Sequence, residues 1–439
     1  MYICLLKSPI LLKKIKKSEF LSNSLILITG TFIAQLIPII LQPFLRRIFS
    51  PSDFGYFAIF TTIVGVLISL SNFKYENAIV IAKDDETAND LLKGGIIISF
   101  FFSLLVLILM ILFESTWTAF FEISDFSKKI FWFIPISVFA LSSYQCMNFW
   151  FIRFKKFKTS SANKLIRRSS EGIGQLFFGF LKKNKVQTGS YNGLIIGAVI
   201  GAISNFIFGL WQCKKFGLRW TYFNLKNIKN ALIKYKDFPV FNALPSFLNT
   251  FSLMFPVIIV SYLYGKEITG QFDLSRVVLA LPLALISISV SQVYLQRISE
   301  QIKNKQKIFN EYKKMLFLLA SLSIPGAIIG YLICEPIFTL FFGENWDTAI
   351  KITQILIFSY AIKFIVSPLS VSIIALEKLK WRALWQMTYF SLIISLFFLK
   401  GKSIEEFFII YAIIEVGIYL LYFAITTKLI LSHDNNLRK

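Results

Sequence analysis

The chain consists mainly of apolar runs separated by short polar links, and the length of those runs limits the folds it can adopt. The first two runs, roughly 21–45 and 54–73, are joined by a polar link that begins at Arg46. At a helical rise of about 1.5 Å per residue, each run is long enough to span the roughly 30 Å hydrocarbon core of a bilayer. The sequence therefore predicts a transmembrane helical hairpin, and later runs repeat the design.

Composition agrees with this interpretation, because 56% of the 439 residues are hydrophobic and only 16% are charged. A soluble protein is about a quarter charged. The runs are continuous, whereas an outer-membrane barrel would show alternating segments of about ten residues. We predict an all-α polytopic membrane protein with about twelve transmembrane helices, near 21–45, 54–73, 92–114, 130–152, 163–181, 190–213, 238–264, 272–296, 315–341, 350–373, 381–399 and 404–430.

The formal net charge of +23 is concentrated in alternate connections between the apolar runs. This is the positive-inside pattern, and with an even number of spans it predicts that both termini are cytoplasmic. The basic runs are expected to contact anionic lipid headgroups rather than nucleic acid. They comprise Lys13 to Lys17, Arg153 to Lys158 with Arg167 and Arg168, Lys214 to Lys236, and Arg297 to Lys314.

The chain is predicted to contain two six-helix bundles related by pseudo-twofold symmetry. An acidic residue precedes Gly-x-Phe both in the link 50–57 and in the link 265–272, roughly half the chain length apart. An even number of spans per half gives two repeats of the same orientation. The predicted parts are a basic cytoplasmic arm (1–20), an N-terminal bundle (21–213), a basic cytoplasmic linker (214–237), a C-terminal bundle (238–431) and a cytoplasmic tail (432–439).

Polar residues inside the apolar runs recur at helical spacing. Gln35 lies on such a stripe of the first span and Asn72 on a stripe of the second. Asn242 and Asn249 share one face of the seventh span, which prolines interrupt. A striped or broken helix at bilayer depth packs into a polar interior or lines a water-filled cavity. These four residues are therefore predicted to line a cavity.

Two charged residues lie near the middle of apolar runs, Lys363 in the tenth span and Glu415 in the twelfth. A charge there costs about 2.5–3.5 kcal/mol on insertion scales, so such residues face the protein interior. Ser359 and Ser367 share a helical stripe with Lys363, and Arg276 lies in the eighth span.

Two interpretations of these charges stay open. In the first, Lys363 pairs with Glu415, and Asp273 pairs with Arg276, to hold the helices together. In the second, they contact a substrate or a coupling ion, which we favour because intramembrane charges mark transport pathways more often than scaffolds.

Features of enzymes and metal sites are missing from the sequence. There is no Gly-x4-Gly-Lys-Ser/Thr phosphate loop, the four cysteines lack disulfide or metal spacing, and the single histidine lies in the polar tail. No outward loop longer than about twenty residues is predicted to hold an acid and a base. We therefore expect no catalytic residues, no metal and no cofactor, and the chain is not expected to be an enzyme.

Three segments carry a resemblance to a known family: Arg46-x3-Ser50-Pro51-x-Asp53-Phe54-Gly55, Ser291-Gln292-Val293-Tyr294, and Phe342-Gly343-Glu344-Asn345-Trp346. They resemble the polysaccharide biosynthesis proteins, the oligosaccharide-lipid flippases of O-antigen and capsule (lipopolysaccharide and related) pathways. This family lies within the multidrug/oligosaccharidyl-lipid/polysaccharide exporter superfamily. The resemblance implies that Arg46, Asp53 and Gly55 form a structural motif and that the fold is a V-shaped transporter with a central cavity.

The resemblance also implies a function. The protein would move an undecaprenyl-diphosphate-linked repeat unit across the bacterial inner membrane, with a polysaccharide polymerase and a chain-length regulator as expected partners. Lys363 or Arg276 would offset the diphosphate charge, and Glu415 would bind a coupling proton or sodium ion. The alternatives are a cation-coupled multidrug exporter of the same fold and, less favoured, a membrane polysaccharide polymerase. The sugars carried, the coupling ion and the oligomeric state stay open.

Overall fold

The computed structural model describes residues 19–121, 129–183, 192–218 and 224–437, and over these residues the chain is helical without any β-strand. Within the described residues, each of the twelve predicted spans coincides largely with helix. Nine helices in the described ranges are long and apolar enough to cross a membrane. Nearly all of the predicted basic arm at 1–20 lies outside the described residues.

Besides a short helical stretch at 129–131, the first half of the chain forms nine helices in the part that the structure describes. They are α1 (Glu19–Ile48), α2 (Pro51–Ser71), α3 (Tyr75–Ile81), α4 (Asp85–Leu112), α5 (Glu114–Phe120), α6 (Ile134–Arg153), α7 (Phe157–Lys183), α8 (Gly193–Lys215) and α9 (Leu225–Lys234).

The second half begins with a π-helical turn and contains a second one. Its elements are the first π turn (Pro239–Ala243), α10 (Leu244–Pro282), the second π turn (Leu283–Ser287), α11 (Ile288–Lys303), α12 (Phe309–Phe342), a 3-10 turn (Glu344–Trp346), α13 (Asp347–Leu369), α14 (Ser372–Ala375), α15 (Leu379–Ser395), a 3-10 turn (Leu396–Leu399) and α16 (Ile404–Asn436).

The expected link between the seventh and eighth spans is shorter than the sequence indicates. Helix α10 is non-helical only at Gly265, where φ is 79° and ψ is −175°. A positive φ is accessible to glycine because it has no Cβ. One glycine therefore separates two predicted spans, and the remainder of the expected link, 266–272, is helical.

The chain divides into two compact units, which we call unit 1 (residues 1–48 and 63–247) and unit 2 (residues 49–62 and 248–439). Helix α2 begins in unit 2 and ends in unit 1. These units follow spatial contacts, whereas the bundles 21–213 and 238–431 follow helix order and stay a prediction.

In unit 1, glycines of α8 allow a close contact with α7. A methyl group at Gly201 would lie 2.9 Å from the carbonyl oxygen of Arg167, and one at Gly197 would lie 2.7 Å from the backbone nitrogen of Gln175. Both distances are shorter than ordinary van der Waals contacts. Small residues at a helix interface let the two backbones approach closely, and the glycines of α8 do so against α7.

The basic region predicted as a linker contains α9, which packs on unit 1. Ile228 and Leu232 of α9 lie 3.2 and 3.1 Å from where a Cβ of Gly94 would be. The hydroxyl of Tyr75 donates a hydrogen bond to the Leu232 carbonyl at 3.1 Å. This part of the region is therefore a docked helix, while 219–223 lie outside the described residues.

In unit 2, the two sequence repeats contact each other reciprocally. A Cβ at Gly55 would clash with the carbonyl oxygen of Lys266, and a Cβ at Gly270 would clash with the carbonyl oxygen of Pro51. The same interval of 215 positions separates Pro51 from Lys266 and Gly55 from Gly270. An exchange of equivalent contacts is the signature of a twofold relationship, so the two segments are related as the sequence repeat predicts.

The third segment of the family resemblance packs on this crossing. The Trp346 ring lies edge-on to Phe54, with centroids 5.7 Å apart. The side chain of Gln271 donates to the Asn345 carbonyl at 2.8 Å and accepts from the Ala349 N–H at 3.0 Å. The segments around 54, 271 and 346 thus form one structural junction.

The other motif residues stabilise the start of α2 and the end of α1. The Asp53 carboxylate accepts hydrogen bonds from the Ser50 N–H at 2.9 Å and the Ser50 hydroxyl at 2.8 Å. Arg46 is buried and donates from Nε to the Gln42 side chain at 2.9 Å. Both side chains make local contacts that fix helix ends.

Candidate functional site

The two charges found inside apolar runs form a buried ion pair in unit 2. Lys363 Nζ of α13 lies 2.5 Å from Glu415 Oε2 of α16. The side chains are nearly inaccessible, since the two residues are 7% and 1% exposed. Of the two interpretations left open by the sequence, the structure shows the pairing of Lys363 with Glu415. The pairing leaves a role in cargo binding as a prediction, because Lys363 also borders a cavity.

Tyrosines surround this ion pair. The Tyr389 hydroxyl donates a hydrogen bond to Glu415 Oε1 at 2.7 Å. Lys363 Nζ lies 4.6 Å from the ring centroid of Tyr360 and 5.4 Å from that of Tyr419. Aromatic faces attract a cation within about 6 Å through their quadrupole. The lysine charge is therefore stabilised by a carboxylate and two aromatic faces.

Trp385 of α15 supports the tyrosine that binds Glu415. Its ring stacks on Tyr389 and Tyr422, at centroid distances of 5.4 and 4.1 Å. Its indole N–H donates to the Ile418 carbonyl at 2.9 Å. The tryptophan thus fixes the orientation of Tyr389 relative to α16.

A polar cavity of about 330 Å³ adjoins the ion pair in unit 2. Three residues predicted to bind substrate border it: Arg276, Lys363 and Ser367. The Arg276 guanidinium lies 5.7 Å from the centroid of Phe272. The remaining lining consists of Leu253, Asp273, Val277, Ala280, Leu283, Tyr360, Tyr389, Tyr411 and Tyr419. Two cations and several phenol groups therefore converge on one space.

Three other predicted residues lie elsewhere. Ser359 is buried, and its hydroxyl donates to the Leu356 carbonyl of its own helix at 2.7 Å. Asn242, in the first π turn, and Asn249, in α10, are exposed. None of the three borders the polar cavity, so their predicted role in binding is not supported by this cavity.

Two further predicted residues belong to unit 1, as Asn242 does. Gln35 is half-buried on α1. Asn72 is fully buried just after α2, and its side-chain amide donates to Cys146 Sγ at 3.4 Å. The structure does not bring them together with Lys363 within one unit, and their lining of a cavity stays a prediction.

The cations on α7 were not predicted as site residues, and Arg167 and Arg168 were attributed to the positive-inside pattern. Lys164 Nζ donates to the Thr31 hydroxyl at 2.8 Å. Arg168 forms an ion pair with Glu171 at 2.9 Å. Polar residues at 164, 168, 171 and 175 recur at helical spacing, and that amphipathic pattern was the available signal. Tyr389 had no comparable signal, because it meets Glu415 from a different helix.

Solved structures of membrane transporters share this fold. The structure described as "Lipid II flippase MurJ, inward closed conformation" matches with a TM-score of 0.72 at 19% identity, covering 93% of this chain and 90% of that one. An inward-facing multidrug resistance MATE family transporter of the MOP superfamily matches with a TM-score of 0.70 at 10% identity, covering 94% and 99%. At such identities the likeness concerns the fold, and it confirms the predicted all-α polytopic fold.

A curated relative is similar over part of the chain. It is an "Uncharacterized membrane protein in cps region" from Klebsiella pneumoniae, 24% identical over 161 residues. The match covers 37% of this chain and only 32% of that protein.

A family comparison covers more of the sequence. The profile described as "Polysaccharide biosynthesis protein" matches residues 44–351. This range includes the crossing of Gly55 and Gly270 and the segment that ends at Trp346. It also contains Arg276 of the polar cavity. Together with the apolar helices and the transporter fold, the match shows that the chain is a multi-pass membrane protein that belongs to the polysaccharide biosynthesis protein family.

Proposed function

We propose that the protein is a flippase for an undecaprenyl-diphosphate-linked oligosaccharide repeat unit, the precursor of O-antigen or capsule. It moves this cargo from the cytoplasmic to the periplasmic leaflet of the inner membrane by alternating access. Both termini are cytoplasmic, and the protein carries out no covalent chemistry. The similarity to a protein in a cps region and to flippase and transporter structures supports this assignment.

The observation that carries the proposal is the cavity that contains Lys363 and Arg276 within apolar helices. A repeat unit has on the order of ten hydroxyl groups, each costing about 1–3 kcal/mol to bury unpaired, in addition to a charged diphosphate. Cations and phenol groups inside the membrane protein can replace the lost water. With the cell interior negative, outward movement of each negative charge is favoured by about 2.3 kcal/mol per 100 mV.

The ion pair gives the flippase a means of coupling. A cargo phosphate and the Glu415 carboxylate are both acceptors for Lys363, so we propose that they compete for it. Released from Lys363, Glu415 would be a buried charge without a counter-ion, which is costly. Uptake of a proton or sodium ion by Glu415 removes that cost. Binding of an anionic cargo is thereby linked to a cation.

The proposal is tested by deleting the gene and identifying the lipid-linked sugar that accumulates on the cytoplasmic leaflet. Complementation with the wild-type chain should restore surface polysaccharide, Lys363→Ala should abolish it, and Lys363→Arg should retain part of it. Lys351→Ala is a matched control on the same helix, because Lys351 is exposed and pairs with exposed Glu405. Membrane levels of each variant must be equal. Full display by Lys363→Ala would contradict the cargo-binding role.

The multidrug exporter is the second candidate, supported by the fold shared with the MATE transporter. Neighbouring genes for glycosyltransferases and a polymerase would favour the flippase, whereas an isolated gene beside a drug-responsive regulator would favour the exporter. A deletion that changes drug susceptibility but accumulates no lipid-linked sugar would establish the exporter. A large folded periplasmic loop in a topology map would instead favour a polysaccharide polymerase.

The expected partners follow from the same proposal. The lipid-linked oligosaccharide is the cargo, and anionic lipids contact the basic connections. A polysaccharide polymerase and a chain-length regulator would receive the flipped unit. Co-purification from membranes cross-linked during polysaccharide synthesis would test these two protein partners.

A further inference from the structure

An apolar groove in unit 2 lies beside the polar cavity. We propose that this groove binds the head-proximal part of the polyprenyl chain of a polyprenyl-diphosphate cargo. The inference rests on the proposed function and adds to it a second binding site, for the lipid part of the same molecule.

The groove has a volume of about 410 Å³ and is formed by α10, the second π turn, α12 and α13. This volume is in the range of ligand pockets, roughly 300–1,000 Å³. Its walls are mainly aliphatic and aromatic, and they include Leu283, Ile286, Gly326, Gly330, Ile357 and Phe364.

The hydroxyl groups of the lining serines and threonines are occupied within the protein. The Ser323 hydroxyl donates to the Ala361 carbonyl at 2.9 Å. The Thr353 hydroxyl donates to the Ala349 carbonyl at 2.7 Å. Because these donors are already paired, they do not require water or a polar ligand. Apart from the Tyr360 phenol at its border with the polar cavity, the groove therefore presents a mainly hydrocarbon surface to its occupant.

The groove adjoins the polar cavity. Leu283 and Tyr360 border both spaces. On α13, Tyr360 and Lys363 are one helical turn apart, so the lysine lies just beyond the residue shared by both spaces. A ligand that fills both sites has an anionic head next to Lys363 and an apolar tail beside Phe364. A free sugar or a compact cationic drug has no such tail.

The shape of α12 favours a branched chain. Gly326 and Gly330 have no side chains, and a Cβ added at Gly326 meets no atom within 4 Å, whereas one at Gly330 would lie 2.8 Å from Ile357. A polyprenyl chain carries a methyl branch on every repeat and needs a wider groove than a straight acyl chain. The outer face of α12 is apolar and exposed, with Phe317 at 77% and Leu332 at 70%. The groove thus opens beside a surface suited to lipid, from which a tail can enter.

The test fills the groove without disturbing packing. Gly326→Leu places a side chain in the open groove. Gly417→Leu is the matched control, because Gly417 is also an exposed glycine within a helix, with no atom within 4 Å of an added Cβ, and it does not line the groove. The purified full-length protein is photolabelled with a polyprenyl diphosphate that carries a diazirine near its head, and labelled peptides are identified by mass spectrometry.

We expect labelling of the wild type and of Gly417→Leu in the peptides of α12 and α13 that line the groove. Labelling of Gly326→Leu should fall by about tenfold, the ratio produced by a loss of roughly 1.4 kcal/mol. Absence of groove labelling in the wild type, or equal labelling of Gly326→Leu, would overturn the inference. Equal competition by phosphatidylglycerol would also overturn it, by showing a general lipid site.

Measuring surface polysaccharide and lipid-linked sugar distinguishes a failure of the groove inference from a failure of the flippase proposal. If wild-type complementation restores display, and Gly326→Leu restores it equally while retaining groove labelling, only the groove inference fails. If the deletion strain accumulates no lipid-linked sugar, the flippase proposal itself fails, whatever the labelling shows.

Discussion

At the scale of single residues, the main feature is a lysine and a glutamate that are buried together. Removing two charges from water is costly, and removing one partner of a buried pair costs about 3–5 kcal/mol because the other charge is left uncompensated. Lys363 and Glu415 are therefore expected to affect both stability and transport. Experiments on either residue must separate these effects.

A pair of substitutions achieves that separation. Lys363→Met alone leaves the Glu415 carboxylate buried without its cation, so we expect thermal stability in detergent to fall by an amount equivalent to about 3–5 kcal/mol. Lys363→Met combined with Glu415→Gln removes both charges and should recover most of the lost stability. The combined variant should still fail to display polysaccharide. If it transports normally, the pair serves only to hold the helices together.

The proposed coupling at Glu415 gives a second prediction at this scale. Glu415→Gln keeps the shape of the side chain but removes its capacity to take up a proton. We expect slower transport whose rate no longer depends on external pH, measured as the appearance of lipid-linked sugar in the outer leaflet. Tyr389→Phe is the control, because it removes the 2.7 Å hydrogen bond and keeps the carboxylate. A wild-type pH profile in Glu415→Gln would rule out proton coupling at this site.

The sequence could reveal these residues only in part. Lys363 and Glu415 stood out because they are charged residues in apolar runs, and Ser367 followed from its spacing relative to Lys363. The pairing of Lys363 with Glu415 was one of two open alternatives, because residue spacing along one helix does not show which other helix faces it. Tyr389 and Trp385 were not predicted for the same reason. Ser359 stays a prediction: it does not border the polar cavity, and its hydroxyl bonds to its own helix.

At the scale of helices, the reciprocal crossing of Gly55 and Gly270 joins the two repeated segments. Each glycine lies against a carbonyl oxygen of the opposite segment, so neither position has space for a side chain. Phe54 and Trp346 pack beside the crossing. The residues of the family resemblance that lie at this crossing therefore pack helix ends against each other.

Because the crossing is tightly packed, we predict that one methyl group added at Gly55 or Gly270 lowers the free energy of unfolding. Gly55→Ala and Gly270→Ala should each force the segments apart, with a loss of about 1–3 kcal/mol as in other overpacked cores. Gly417→Ala, where nothing lies within 4 Å of the added atom, should be neutral or slightly stabilising. Thermal unfolding of the purified variants measures the difference. Unchanged stability in both Gly55→Ala and Gly270→Ala would contradict the observed contact.

Helix positions were largely predictable, and irregular elements were not. Each predicted span falls on helix in the described residues, and nine helices there are long and apolar enough to cross a membrane, because burial in lipid is a local requirement on each run. The π turn after Pro282 and the docking of α9 on α4 depend on neighbouring helices, and no local pattern encodes them. Gly265 shows the limit clearly. The sequence predicts a link at residues 265–272, yet the positive φ of Gly265 alone is sufficient to separate the two spans.

At the scale of the whole molecule, the fold is shared with MurJ and the MATE transporter although sequence identity is 19% or less. Fold class follows from the length and spacing of apolar runs, which diverge slowly because the bilayer thickness is fixed. Cargo, by contrast, depends on the few polar residues inside the helices. The shared fold therefore leaves the cargo to be determined by the site.

The charge pattern predicts the orientation of the molecule in the membrane. Lys305, in the basic link before α12, should face the cytoplasm, and Lys400, in the link before α16, should face the periplasm. In intact cells, a membrane-impermeant maleimide should label Lys400→Cys and leave Lys305→Cys unlabelled. The wild type is the control, because the cysteines within the described residues, Cys146, Cys213 and Cys334, are buried. The opposite labelling pattern would invert the topology and the proposed direction of transport.

The stack of Trp385 on Tyr389 has a practical consequence. The indole is one tyrosine away from Glu415, so a ligand that displaces this carboxylate also changes the surroundings of the fluorophore. The intrinsic fluorescence of Trp385 can therefore report whether a ligand occupies the polar cavity, without an attached dye. The chain has eight tryptophans, and a Trp385→Phe variant gives the fluorescence of the others. Subtracting its spectrum from that of the wild type isolates the fluorescence of Trp385.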